Sequence, residues 1–355
     1  MSGNGPIHRR FWTHFSNIAT LKSSMQHGQK TMTRGIRIHR TGGPEVLVYE
    51  NIEVGMPGED QALVRHTAIG VNFIDTYHRS GLYPLPLPSG IGLEAAAIVE
   101  AVGRDVIHIQ PGDRVGYAGG PPGAYSERRL VPAHRLLKVP ANLANQQVAA
   151  MMLKGLTVQY LIRRVYRVRR GETVLFHAAG GGVGLIACQW LKALGVTVIG
   201  TVGTDAKAEV ARAHGCDYPI VYTRENFAAR VSAITGGAKV PVVFDSVGRD
   251  TFMGSLDCLQ PRGLLASFGN GSGPVPAFDL SLLADKGSLF VTRPTLMTYT
   301  ARREDLETGA AELFDVVGSG QVRIEVNQTY ALKDAAQAHR DLESRSTTGS
   351  SVLIP

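Results

Sequence analysis

Residues 171–192 read GETVLFHAAGGGVGLIACQWLK, an apolar run that leads through a cluster of glycines into a second apolar run. The pattern predicts a strand over Thr173–His177, a turn over residues 179–184 and then a helix. The turn satisfies the dinucleotide-binding fingerprint, with alanine in place of its first glycine. Gly181 would let the backbone approach a pyrophosphate, Gly184 would let the helix pack close to the strand, and the N–H groups at the helix start would receive the negative charge. The stretch therefore predicts an α/β unit that binds a dinucleotide.

The segment after the next predicted strand, Val196–Thr201, indicates which dinucleotide would bind. NAD-binding folds place an acidic residue about 20 residues further on, where it holds the ribose 2'-hydroxyl. Here the strand leads into small neutral residues, including Gly203 and Thr204, with Lys207 just beyond them. A small pocket beside a lysine suits a 2'-phosphate, so the pattern favours NADPH over NADH. Asp205 is the one local residue that argues against a 2'-phosphate at this position. The alternative interpretation of Lys207 is a solvated residue at a helix start.

Length and composition are typical of a globular protein with two domains. The chain has 355 residues, of which 44% are hydrophobic and 19% are charged, enough to bury two sizeable apolar cores. No run of 18 apolar residues occurs, so we expect no membrane span. Cys188, Cys216 and Cys258 lack CxxC spacing, which argues against a disulfide framework or a thiolate zinc site. Buried free thiols in a reducing compartment, the cytoplasm, are the expected state.

The net charge of +7 is concentrated at the amino-terminal end. Residues 1–44 contain seven Lys and Arg and no acidic residue, whereas the remainder has equal numbers of basic and acidic residues. A formally neutral body argues against a nucleic-acid partner. Five arginines lie between residues 163 and 170, at the end of a predicted helix, where cations complement the helix dipole. We prefer that structural account to a binding patch.

Residues 1–31 are expected to lie outside the fold as a basic extension. Their apolar residues have near-helical spacing and the segment has no acidic residue, a composition that permits a mitochondrial transit peptide. An overlong start is the interpretation that we favour, because Met32 begins a compact segment that looks like the first strand of the folded body.

Short apolar runs separated by proline and glycine predict a β-rich domain over residues 32–152. Such punctuation is typical of a partly closed barrel. The predicted strands are Ile36–His39, Ala62–Val71, Ala95–Val102, Arg114–Ala118 and Tyr125–Val131.

Strands and helices then alternate, which predicts a parallel, doubly wound sheet over residues 153–289. A helix over Asn145–Tyr166 leads into strands at Thr173–His177, Val196–Thr201, Tyr218–Tyr222, Val240–Asp245 and Leu264–Ser267. Residues 290–355 are expected to return to the β-rich domain. This tail is predicted to contain a helix over Arg302–Val317, a strand near Val322–Val326, a helix over Lys333–Glu343 and a strand over Ser351–Ile354.

From Arg34 to Pro355 the sequence resembles the medium-chain dehydrogenase/reductase superfamily, and within it the quinone oxidoreductase and zeta-crystallin group. The resemblance implies an α/β protein with a GroES-like catalytic domain formed by both chain ends, a Rossmann domain between them, a cleft at their junction and a homodimer. Besides residues 171–192, the matching motifs are GGPEVL, AIGVNFIDTYHRSGLYP, QPGDRV, LKGLT, GTVGT, FDSVGRDT, SFGN, VTRP and SSVLIP.

The chain departs from the zinc alcohol dehydrogenase branch at its ligand positions. That branch has Cys where this chain has Asn72, and His where it has Leu93, and its four-cysteine structural loop is missing. An amide and a leucine cannot replace a thiolate and an imidazole as zinc ligands. We therefore expect no metal.

The resemblance also implies the residues of the site. Asn72, Tyr77 and Tyr83 are expected to line the substrate pocket as the catalytic set, although packing beside a proline-rich turn is the alternative for both tyrosines. Asp75 would orient its neighbours. The expected cofactor contacts are Gly182, Val183 and Gly184 at the pyrophosphate; Lys207, Tyr222 and Arg345 around the 2'-phosphate; Phe268, Gly269 and Asn270 near the nicotinamide; and Phe73, Asp75, Thr157, Tyr160, Gly181, Gly203, Thr204 and Ser246.

The expected function is NADPH-dependent, zinc-independent reduction of small quinones. A quinone needs little activation because its reduction produces an aromatic product. NADPH-dependent reduction of activated alkenes such as 2-alkenals or enones is the nearest alternative, since the same pocket would serve. A non-catalytic protein that binds NADPH or RNA, as some zeta-crystallin relatives do, is the alternative from another class.

Overall fold

The computed structural model describes residues 30–355. The first strand begins at Thr31, which pairs with Val54, and Lys30 forms an ion pair with Glu53. The folded body therefore starts slightly before the predicted boundary at residue 32. What was predicted for residues 1–29 lies outside the described residues.

The amino-terminal third forms antiparallel strands, as its alternating apolar pattern predicts. The elements are β1 (Thr31–Ile38), β2 (Val48–Val54), β3 (Gln61–Val71), α1 (Phe73–Ser80), β4 (Ser89–Gly90), β5 (Glu94–Val102), β6 (Arg114–Ala118), β7 (Arg128–Pro132), β8 (Leu137–Lys138) and α2 (Asn145–Tyr160). One three-stranded sheet has the order β2-β1-β4, and β3, β5, β6 and β8 are neighbours in a larger sheet, with β7 also paired to β3.

A six-stranded parallel sheet follows, with a Rossmann strand order. It comprises β9 (Thr173–Phe176), α3 (Gly182–Ala193), β10 (Thr197–Val202), α4 (Asp205–Ala213), β11 (Tyr218–Val221), α5 (Phe227–Ile234), β12 (Val240–Asp245), α6 (Phe252–Asp257), β13 (Leu259–Ser267), α7 (Ser281–Asp285) and β14 (Phe290–Thr292). The order is β11-β10-β9-β12-β13-β14. The order reverses between β9 and β12, and in such sheets ligands bind beyond the carboxyl ends of the strands at this point.

The tail of the chain returns to the β-rich unit, as predicted. Its last strand pairs antiparallel with β3, placing Val352 opposite Gly70. The predicted combination of a GroES-like unit and a doubly wound parallel sheet is therefore confirmed. The tail consists of α8 (Leu296–Tyr299), α9 (Arg303–Gly318), β15 (Val326–Ala331), α10 (Ala335–Glu343) and β16 (Ser350–Ile354).

Helix α2 lies between the two units and is buried on nearly all sides because it packs on both of them. It packs on β3 and β5 of the β-rich sheet, on α3 of the parallel-sheet unit and on α9 of the tail. Residues 148–152 of this helix, Val-Ala-Ala-Met-Met, are fully buried. A helix that is apolar around its circumference is typical of such an interior position. Its polar side chains beyond the first turn, Lys154, Thr157 and Gln159, are therefore buried between the β-rich sheet and the neighbouring helices.

Several predicted boundaries are wrong. Val322 and Ile324 are buried in the core without joining a ladder, so the strand predicted near Val322–Val326 begins only at Val326. The helix predicted over Asn145–Tyr166 is confirmed to within one residue, although its last turn, Leu161–Val165, is π-helical. The parallel sheet also extends to Thr292, three residues past the predicted domain boundary at 289, because β14 pairs with β13.

Strand β2 and helix α1 are the longest of the elements that were not predicted from the sequence. Strand β2 is an edge strand whose residues are mostly half-exposed, so it lacks a strong apolar alternation. Helix α1 is short, but it carries an amino-terminal signal: the Asn72 backbone N–H donates a hydrogen bond to the Asp75 carboxylate over 2.9 Å. An N-cap asparagine followed three residues later by an acid is a recognisable start signal.

Gly184 is required by the close approach of α3 to the end of β9. A Cβ atom added there would lie 2.3 Å from the Ala178 carbonyl oxygen and 2.6 Å from the Ala179 Cα atom. Both obstacles are backbone, which cannot move aside as a flexible side chain can. A Cβ atom on Gly203, by contrast, would meet no atom within 4 Å.

We expect Gly184→Ala to lower the free energy of unfolding by about 1–3 kcal/mol, because overpacking forces α3 away from the strand. Gly203→Ala, the matched control, should leave stability nearly unchanged. Urea unfolding of both variants and the wild type measures the difference. Equal losses in the two variants would contradict the packing argument.

Candidate active site

The glycine turn lies at the carboxyl end of β9, where the strand order reverses. Gly181 is the N-cap of α3 and carries no side-chain cap, and Gly182, Val183 and Gly184 form the first turn of the helix. The backbone N–H groups of a first turn have no partners inside the helix. The turn can therefore receive an anion, as the sequence predicts for a pyrophosphate.

Lys207, Tyr222 and Arg345 come together, although they lie on three separate segments. The Lys207 ammonium donates to the Arg345 carbonyl oxygen over 2.7 Å, and the Arg345 guanidinium lies 3.4 Å from the Tyr222 hydroxyl. Burial, and then the Arg345 charge, lower the pKa of Lys207. Two cations side by side repel each other unless an anion joins them. The grouping therefore suits a phosphate group.

This cationic group adjoins the glycine turn. A Cβ atom on Gly180 would lie 3.1 Å from the Lys207 Cβ atom. Asp205, the one acid nearby, pairs with Arg224. Thr204 is the N-cap of α4 and accepts a hydrogen bond from the Lys207 backbone N–H. Thr204 thus has a structural role, and its predicted cofactor contact stays a prediction, as does that of Gly203.

The loops after β12 and β13 are packed together at the same edge of the parallel sheet. The Phe268 N–H donates to the Asp245 carbonyl, and the Gly271 N–H donates to the Ser246 carbonyl over 3.0 Å. A Cβ atom on Gly269 would lie 2.4 Å from the Ser246 carbonyl oxygen. Gly269 is therefore needed for this close approach. Ser246 and Phe268–Asn270 all lie beside the switch point, and their predicted contacts with a cofactor stay predictions.

Tyr77 and Tyr83 reach across from the β-rich unit to this loop. Tyr77 accepts a hydrogen bond from the Asn270 backbone N–H over 3.1 Å, and the Tyr83 hydroxyl lies 3.1 Å from the Asn270 side-chain amide. The two tyrosine rings meet edge to face, 5.2 Å apart. Burial raises the pKa of Tyr77 to about 12. Tyr77 is therefore a neutral hydrogen-bond donor at ordinary pH rather than a strong acid.

Arg293 belongs to the same cluster and was not predicted. Its guanidinium donates to the Tyr83 hydroxyl over 3.0 Å and to the Gly269 carbonyl oxygen over 2.9 Å. It thus places an exposed cation beside the two tyrosines. The motif VTRP contained this residue, but a lone arginine outside the glycine turn gave no signal of its own.

Asn72 belongs to a buried polar group below the tyrosines. Its side-chain Nδ2 donates to Glu94 Oε2 over 2.6 Å, and the Lys154 ammonium lies 3.6 Å from the same oxygen. Asp75, which is fully buried, accepts from the Asn72 backbone N–H and from the Tyr125 hydroxyl. Asp75 therefore orients Asn72, as expected. Burial raises the pKa of Asp75 to about 7, and its direct contact with a cofactor stays a prediction.

A zinc ion does not fit the side chains around Asn72. The described residues contain no group of three or more His, Cys, Asp and Glu able to hold a metal. Leu93 is apolar, and the Lys154 ammonium and the Asn72 amide both face the one carboxylate present, Glu94. A fixed ammonium would repel a divalent cation at that carboxylate.

Three other predicted cofactor residues have structural contacts of their own. Thr157 donates to the Leu153 carbonyl oxygen within α2. Tyr160 is almost fully buried and stacks on Tyr299, with ring centroids 4.8 Å apart. The Phe73 ring packs 6.1 Å from that of Tyr77. Their predicted contacts with a cofactor stay predictions.

Two of the five arginines after α2 are engaged within the fold. Arg163 forms an ion pair with Glu312, and Arg164 pairs with Asp305 and lies over the Tyr299 ring. These contacts support a structural role for those two residues, whereas the other three arginines of the cluster are exposed. No helix among the described residues is long and apolar enough to cross a membrane.

Two family models match the chain. Residues 58–141 match the alcohol dehydrogenase GroES-like domain, and residues 182–315 match the model described as zinc-binding dehydrogenase. The second match begins after β9 and ends within α9, whereas Asn72 and Leu93 lie in the first match and Lys154 lies in neither.

Curated relatives and solved structures are similar over nearly the whole chain. Quinone oxidoreductase of Pseudomonas aeruginosa is 55% identical over 325 residues, which cover 91% of this chain and all of the relative. The 2-haloacrylate reductase of a Burkholderia species is 48% identical over 90% of this chain and 98% of the relative. The structure of Escherichia coli quinone oxidoreductase complexed with NADPH superposes with a TM-score of 0.90 at 53% identity, covering 91% of this chain and 100% of that one. The chain belongs to the quinone oxidoreductase group of the medium-chain dehydrogenase/reductase superfamily.

Proposed function

We propose that the protein reduces small quinones with NADPH, without a metal, in a cleft between the β-rich unit and the parallel sheet. The observation that carries the proposal is the meeting of Lys207, Tyr222 and Arg345 beside an uncapped helix start. NADPH has two anionic groups, a 2'-phosphate and a pyrophosphate. The Lys207–Arg345 pair and the first turn of α3 can each receive one of them, and the two lie next to each other.

The residues present fit this cofactor. The first turn of α3 would hold the pyrophosphate, Lys207 and Arg345 would hold the 2'-phosphate, and the loop Phe268–Asn270 would lie beside the nicotinamide. When bound, NADPH supplies a hydride from its dihydronicotinamide ring. The relative from E. coli, solved with NADPH, supports this assignment.

The acceptor side offers hydrogen-bond donors rather than a Lewis acid. Tyr77 and Tyr83 present hydroxyl groups, and Arg293 adds a permanent charge beside them. Reduction of a quinone by a hydride and a proton gives a hydroquinone, and negative charge develops on the quinone oxygen in the process. Donors fixed in advance stabilise such a charge, and a stacked substrate needs no further activation.

Reduction of an activated alkene is the second candidate function. The relative that is named 2-haloacrylate reductase supports it. Such a substrate carries a carboxylate next to its double bond, and Arg293 is an exposed cation that could pair with that carboxylate. The neutral body and the ion-paired arginines after α2 do not favour an RNA-binding role.

We further propose that the protein forms a homodimer through the edge of its parallel sheet. Strand β14 is the last in the sheet order, and its Phe290 side chain is 61% exposed. An edge strand leaves backbone groups unpaired, and a second copy related by a two-fold axis would pair them.

The three cysteines are free and buried, which supports a reducing, cytoplasmic location. Cell fractionation would test that location.

The rates of NADPH oxidation with different acceptors test the function. We expect turnover with 1,4-naphthoquinone or 9,10-phenanthrenequinone, because neither needs a Lewis acid. Preferential turnover of 2-chloroacrylate or a 2-alkenal would establish the second candidate instead. No oxidation of NADPH with any quinone would overturn the leading proposal.

We expect Lys207→Ala and Arg345→Ala each to raise the KM for NADPH by roughly 10- to 100-fold, because a charge-assisted contact with phosphate is lost. The KM for NADH should hardly change, since NADH has no 2'-phosphate. Lys192→Ala, which removes an exposed lysine paired with Asp217, is the matched control. Equal effects on both cofactors would refute the phosphate assignment.

We expect Phe290→Asp to convert a dimer into a monomer, because a carboxylate would be buried at the paired edge. Light scattering coupled to size-exclusion chromatography measures the mass. Ile107→Asp changes a residue that is 94% exposed on the β-rich unit and should remain dimeric. A monomeric wild type would contradict the dimer proposal.

A further inference from the structure

Lys154 is a buried cation that no step of the proposed function uses. It lies on α2 and is only 5% exposed. A lysine is almost never buried to this extent unless a partner compensates its charge. Its partner is Glu94, which is fully buried on β5. The pair lies between the two units, and its carboxylate is in direct contact with the Asn72 side chain.

Each oxygen of the Glu94 carboxylate has defined partners. Oε1 accepts from the Leu153 backbone N–H over 2.8 Å. Oε2 accepts from Asn72 Nδ2 over 2.6 Å and faces the Lys154 ammonium at 3.6 Å. The ammonium also donates to the Val71 carbonyl oxygen, the residue just before Asn72, over 3.2 Å. Lys154 thus fixes both the carboxylate and the backbone that leads into Asn72.

The ionised carboxylate determines the orientation of the Asn72 amide. A carboxylate only accepts hydrogen bonds, so it requires the Nδ2 group of Asn72 and turns the amide oxygen the other way. A protonated Glu94 could donate instead, and the amide could then rotate by half a turn. The charge on Glu94 therefore determines whether the amide oxygen or the amide nitrogen of Asn72 points away from Glu94 into the rest of the site.

The stem of Lys154 also touches the turn assigned to the pyrophosphate. A Cβ atom on Gly182 would lie 2.9 Å from both Cδ and Cε of Lys154. One side chain therefore joins the cofactor turn to the group around Asn72. In the zinc branch of the superfamily, a metal ligand stands at the position of Asn72. Here the Lys154 side chain, paired with Glu94, lies beside that position.

We propose that Lys154 is a positioning residue, which keeps Glu94 ionised and thereby fixes the Asn72 amide against the cofactor turn. This inference rests on the proposed function for its kinetic consequences, but not for its structural ones. Burial raises the pKa of Glu94, and Lys154, Asn72 and the Leu153 N–H oppose that rise. The other titratable groups that face Glu94 are Asp75 on α1, Tyr117 on β6 and Tyr125.

The first test is Lys154→Met, assayed over a range of pH. We expect kcat with a quinone to fall by roughly 10- to 100-fold, as for a misplaced active-site group. Loss of the ammonium raises the pKa of Glu94, so activity should be lost as the pH falls through that higher value. The acidic limb of the kcat profile should then move up by at least about one unit. Burial raises the pKa of Asp75 to about 7, so its titration could also shape the pH profile of kcat. Asp75→Asn is the control that identifies this contribution.

A second variant separates positioning from folding. Lys154→Met alone leaves a buried carboxylate without its partner and is expected to be unstable. Lys154→Met/Glu94→Gln removes both charges, so its thermal unfolding should return close to that of the wild type. Its kcat should stay at least about tenfold low, because the introduced glutamine amide can donate as well as accept and no longer fixes Asn72. Full recovery of both stability and kcat would show a merely structural pair and overturn the proposal.

A spectroscopic measurement does not depend on the substrate. The Asn72 side-chain amide resonance, assigned with Asn72→Ala, should follow the titration of Glu94. The midpoint of that response should lie at a lower pH in the wild type than in Lys154→Met. An identical pH response in the two proteins would refute the inference, even if quinone turnover were absent and the proposed function had failed.

Discussion

The burial of α2 between the β-rich sheet and helices α3 and α9 is the constraint on which the rest of the structure depends. One side of the helix packs on β3 and β5, and the other packs on α3 and α9. No side of the helix is left for solvated charges, so most of its residues are small or apolar. The same burial places the carboxyl ends of the parallel strands close to α1. The position of the candidate site follows from this packing.

A charge on such a helix has to be compensated inside the protein. Lys154 is the one charged residue of α2, and Glu94 is its partner from β5. An unpaired charge at this depth costs about 3–5 kcal/mol, whereas a pair with further hydrogen bonds is tolerated. Those further hydrogen bonds come from Asn72 and the Leu153 N–H. The compensation of the Lys154 charge thus holds α2, β5 and the start of α1 in a fixed arrangement.

The sequence predicted what is encoded locally and missed what depends on distant contacts. The glycine turn is one continuous pattern, so its strand, turn and helix could be located from residues 171–192. Arg345 lies 138 residues from Lys207, and only the family resemblance joined them. Lys154 and Arg293 were contained in recognised motifs, LKGLT and VTRP, yet their partners could not be seen without the fold. The physical signal for Lys154 was present: a lone charge in an otherwise apolar helix requires a buried partner.

The same arrangement argues for the class of substrate. An ammonium cannot coordinate an alkoxide or withdraw electrons from a carbonyl as a Lewis acid does; it supplies charge and hydrogen bonds only. Ordinary alcohols and ketones need stronger activation than that. Quinones and alkenes conjugated to a carboxyl or carbonyl group are already electron-poor, so positioning and fixed hydrogen-bond donors would lower their barrier sufficiently. Replacing a metal ligand set by Asn72, Leu93 and a paired lysine would therefore narrow the chemistry of the scaffold to acceptors that are activated by their own structure.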